Sequence, residues 1–64
     1  MSKLPIAAMA DYLSLVALGL SKAANDNPLV DVSLEDAPRV ALGYLEGDDR
    51  ALLKMHAEDL GVQL

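Results

Sequence analysis

The chain has no cysteine, no tryptophan and no phenylalanine, and only two tyrosines among its 64 residues. Without cysteine there is no disulfide framework, no thiolate metal cage and no thiol nucleophile. The small secreted scaffolds that depend on disulfide staples are thereby excluded. Basic residues are also scarce, five against ten acids, for a net charge of −5. A nucleic-acid binder needs a basic stripe to displace the counterions of phosphates. An anionic membrane surface makes the same demand, so neither partner is expected. The imbalance is local. Residues 1–30 are neutral, with Lys3 and Lys22 against Asp11 and Asp26, and residues 31–64 hold the other eight acids and only three bases.

β-Branched side chains are few as well. One isoleucine and five valines stand against ten alanines and thirteen leucines. Alanine and leucine lose little freedom in a helix, whereas strands favour the types that are missing. The hydrophobic fraction of 53% is too high for a disordered chain. The expectation is an all-α fold in a single domain, 1–64, burying about 60% of its unfolded surface. That leaves no room for a deep pocket, so no small-molecule substrate is expected.

Apolar spacing predicts three helices. The first runs from about residue 5 to 24, with Pro5 at a position where its missing amide costs nothing. Ile6, Met9, Leu13, Val16 and Leu20 make one apolar face, and Ala8, Tyr12 and Leu15 make a second beside it. The remaining stripe, Ala7, Asp11, Ser14, Leu18 and Ser21, is assigned to solvent. Leu13 and Val16 are expected in the main core, where Leu13→Ala would cost about 2–5 kcal/mol. Asn25-Asp26-Asn27-Pro28 ends the helix, since proline excludes the α conformation from the residue before it and asparagine tolerates a left-handed turn. In the connector, 25–35, Val30 and Val32 should turn to the core and Asp31 to water.

Ser33-Leu34-Glu35-Asp36 is close to a capping box, but Pro38 cannot sit deep in a helix. The second helix is therefore placed at about 36–46, ending on Gly47 as a left-handed cap. Asp48 or Asp49 is expected to cap a third helix at about 49–60. Leu52, Leu53, Met55, His56, Ala57 and Leu60 would line its inner side. Arg50, Lys54 and Glu58 would form its outer row, and Gly61 would end it. So short a connection implies a C-terminal antiparallel αα-hairpin and a small three-helix unit. Its helix-turn-helix outline is not a DNA reader, because the second arm begins with two aspartates and would meet phosphates with like charge.

Lys3 before an apolar stretch, with Ser21-Lys22-Ala23 after it, has the outline of a secretory signal. Against it stand Asp11 inside the stretch and the 41 cysteine-free residues that cleavage after Ala23 would leave, below the size that folds unaided. The seventeen residues Leu4–Leu20, broken by an aspartate, fall short of the roughly 20 that cross a bilayer. A cytoplasmic chain without a membrane span is the expectation.

No constellation carries chemistry. His56 is the only histidine, with Leu52 and Leu60 four residues either side and no second ligand at metal spacing. Asp59 could orient it as a base, yet a half-buried structural histidine near a helix end explains it better. Glu46-Gly47-Asp48-Asp49 lacks the length and alternation of a calcium loop. Ser14, Ser21 and Ser33 have no base nearby. No catalytic residue, metal ligand or cofactor is assigned. What remains is an apolar excess on the first helix that a chain this small cannot cover. The sequence thus predicts a non-enzymatic regulatory or adaptor protein that binds another protein, or itself as a homodimer. The proposed contacts are Ile6, Tyr12, Leu15, Leu18 and Tyr44. The alternative is an acidic inhibitor, using its crowded acids to occupy a basic nucleic-acid-binding surface of a target.

Overall fold

A computed structural model describes residues 3–64; the first two residues of the N-terminal stretch lie outside the described part. Three helices account for the regular structure among the described residues: α1 (Ile6–Asp26), α2 (Ala37–Tyr44) and α3 (Gly47–Leu60). The fold is all-α, as the composition predicts. α2 and α3 follow one another across Leu45 and Glu46, yet both pack on α1 more than on each other.

One glycine sets the main helix contact. A Cβ built on Gly19 would lie 2.5 Å from both Cα and the carbonyl oxygen of Ala41. Only a residue without a side chain lets α1 and α2 approach so closely, and this offsets the cost of glycine inside a helix. The core gathers around that point. Tyr12, Ala41, Leu42, Leu45, Leu53 and Ala57 are buried together, with Met9, Leu15, Val16, Leu20, Leu60 and Val62 packed at its margin. Gly43 makes no such contact, since nothing stands within 4 Å of a Cβ there.

This contact also decides which face of α1 is inside. Residues advance 100° each around a helix, so Leu13 points about 120° away from Gly19. Leu13, expected in the core, is 57% exposed, and Val16 is half-buried. The face of Tyr12, Leu15 and Gly19 turns inward instead. The connector departs from expectation too: Val30 and Val32 are 58% and 40% exposed and line a groove rather than the core.

Helix ends account for the remaining differences. α1 continues through Asp26, and Asn27 closes it at φ −152° and ψ 78°, neither helical nor left-handed, with Pro28 following. Ser33 and Asp36 form the expected local bonds: the Asp36 amide donates to Ser33 Oγ (3.2 Å) and the Ser33 hydroxyl to Asp36 Oδ2 (3.1 Å). They shape a turn ahead of α2, which places Pro38 harmlessly near its start. α2 does not end on Gly47. Leu45 turns out extended and buried, and Arg50 Nη1 donates to the Leu42 carbonyl at 2.8 Å. Arg50, exposed with Lys54 and Glu58 as expected, also closes α2 from α3 through this bond. Gly47 instead opens α3, at φ 59°. Glu46 holds the N-cap position without a side-chain bond, and Asp48 and Asp49 lie in the first turn. They act on the helix dipole and do not cap it. Gly61 ends α3 as expected, left-handed, with the Val62 amide donating back to Ala57.

Candidate functional site

α1 and the connector leave apolar surface open in two adjoining places. The first is the outer side of α1, where Ile6 is 90% and Leu13 57% exposed; Leu18, 40% exposed, points about 140° away from Leu13. The second is a groove of about 290 Å³ between the end of α1, the connector and α2, lined by Leu20, Ala23, Ala24, Val30, Val32 and Val40, with Tyr44 at its wall. Leu20 and Ala24 belong to both. Beyond the groove, Leu29 and Leu34 stand 91% and 94% exposed on the connector.

Among the predicted contact residues, Ile6 and Leu18 are exposed and Tyr44 is partly so. Leu15 is half-buried against the core. Tyr12 is corrected: it is buried beside Ala41 and Leu42, because the Gly19 contact turns its face inward, and it offers no surface. Burial pushes its hydroxyl above the usual tyrosine range. The sequence missed Leu13, Val30, Leu29 and Leu34. For the connector residues, exposure followed from having no second segment to cover them, a signal that alternation alone misreads.

The Tyr44 hydroxyl donates to Asp26 Oδ2 at 2.9 Å, tying the end of α2 to the end of α1 across the groove. The bond, and the repulsion a phenolate would feel from that carboxylate, raise the Tyr44 pKa. His56 is buried among the core residues of α3, its Nδ1 without a hydrogen-bond partner, so Asp59 does not orient it. Leu52 and Met55, expected on the inner side of α3, are 42% and 47% exposed. No three His, Asp or Glu side chains among the described residues stand close enough to share a metal ion.

α1 is long and apolar enough to cross a membrane by length and composition, with a mean hydropathy of 1.3 over 18 residues. Comparison with protein families, with curated proteins and with solved structures finds no match.

Proposed function

We propose that this chain is a non-enzymatic binding protein, working by protein–protein interaction through the outer face of α1 and the adjoining groove at Tyr44. The observation that carries the reading is the set of large apolar side chains left in water. Much of the exposed apolar surface lies on α1 and the connector, as Ile6, Leu13, Leu29, Val30 and Leu34. Side chains of this kind cluster where another molecule covers them.

The test is capture of partners from the native cell by wild type, Ile6→Glu and Val30→Glu, each at low and high salt. Apolar docking predicts capture that persists in high salt and is lost in both variants, with helical content unchanged. Capture that survives both variants, and fails with salt or when Asp48 and Asp49 are neutralised, would favour the acidic-inhibitor reading instead.

A further inference from the structure

We propose that the outer face of α1 docks a second copy of this chain, antiparallel, about a two-fold axis near Leu15. The proposal rests on the docking reading above and assigns the α1 part of that surface to a second copy, leaving the groove at Val30 free. Ile6, Ala10, Leu13, Ala17, Leu20 and Ala24 succeed one another in steps of four and three, the spacing of a seam that faces a single helix. All are exposed except Leu20, which is half-buried. The seam is about 27 Å long and carries no charged residue.

Size complementarity fixes the direction. With the axis near Leu15, Ile6 lies opposite Ala24 of the second copy, Leu13 opposite Ala17, and Leu20 opposite Ala10. Every layer sets a large side chain against a small one, so the helices approach evenly without voids. A parallel pair would set each residue against itself. Leucine on leucine would then hold the axes apart where alanine on alanine leaves a gap.

Charge selects the same direction. α1 has no acid in its first turn and no base in its last, so its dipole is uncompensated within the chain. Antiparallel pairing lays its positive end, preceded by Lys3, beside the negative end and Asp26 of the other copy. Parallel pairing would place Lys3 against Lys3. The acids of residues 31–64, which carry the net charge, are not among the seam residues. The arrangement is self-complementary and closes as a dimer.

Sedimentation equilibrium and cysteine trapping test it, the latter helped by a chain with no cysteine of its own. The expected result is a reversible wild-type dimer, and a Leu13→Glu monomer of unchanged helical content. Oxidising a mixture of Ile6→Cys and Ala24→Cys chains should give several-fold more cross-linked dimer than either alone, and Ala10→Cys should not link to itself. Self-linking of Ala10→Cys would overturn the antiparallel geometry. Wild type that is monomeric at every soluble concentration, or that leaves the dimer for uncharged phosphatidylcholine vesicles, would overturn the second copy as occupant. If that monomer still captures a partner that Val30→Glu loses, this proposal fails and the docking reading stands. If it captures none, both fail.

Discussion

Two glycines within helices, Gly19 and Gly43, have opposite surroundings and should respond oppositely to the same substitution. Gly19→Ala drives a methyl into the Ala41 backbone, and overpacking of that kind costs about 1–3 kcal/mol. Gly43→Ala meets open space and should stabilise by about 0.5–1 kcal/mol, through the backbone entropy that glycine loses. Thermal melts of the two variants should move in opposite directions. The leucines divide in the same way. Leu53 is fully buried, so Leu53→Ala should cost about 2–5 kcal/mol, enough to unfold most of a domain this small. Leu13→Ala should change the stability of the monomer by about 0.5 kcal/mol or less.

Tyr44 supplies a pH signature at this scale. Its hydrogen bond to Asp26 favours the protonated hydroxyl, so the contribution is present below the ordinary tyrosine pKa and is lost as pH rises through the elevated one. In an absorbance titration Asp26→Asn should bring the Tyr44 midpoint down toward the ordinary value. The Tyr12 midpoint, raised by burial alone, should stay in place.

At the scale of elements, α2 is only eight residues long and would not persist alone in water. It is held at one end by the Ser33–Asp36 turn and at the other by the Arg50 guanidinium on the Leu42 carbonyl. Arg50→Ala should therefore destabilise by about 1 kcal/mol, since the bond is charge-assisted but only partly buried. Exchange of backbone amides in α2 should accelerate more than exchange in α1. Asp48→Asn with Asp49→Asn should have a smaller effect that fades with added salt, because these acids act on the α3 dipole and form no cap. The Asp36–Arg39 pair, exposed on both sides, adds little.

For the molecule as a whole, the 33 × 23 × 18 Å body leaves Ile6, Leu13, Leu29, Val30 and Leu34 open to solvent. Association through α1 couples to folding by mass action. The wild-type melting temperature should rise with protein concentration, and that of Leu13→Glu should not. A concentration-independent wild-type melt would mean that the seam is unoccupied in solution.

The amino-acid sequence by itself determined the helical class, since alanine and leucine outnumber the strand formers. It determined the three segments, because Asn27-Pro28 and Gly61 stop helices and Pro38 is tolerated only in a first turn. It placed Ala7, Asp11, Ser14, Leu18 and Ser21 in water. Only tertiary structure decided which of the two apolar faces of α1 turned inward. Periodicity ranks faces by hydrophobic bulk and so favoured Leu13. Packing ranks them by fit, and the gap at Gly19 that accepts Ala41 turned Tyr12 inward and Leu13 out. The groove was hidden for the same reason. Val30 and Val32 alternate like core residues, and whether a core lies above them depends on where α2 lands, a distance that no local spacing contains.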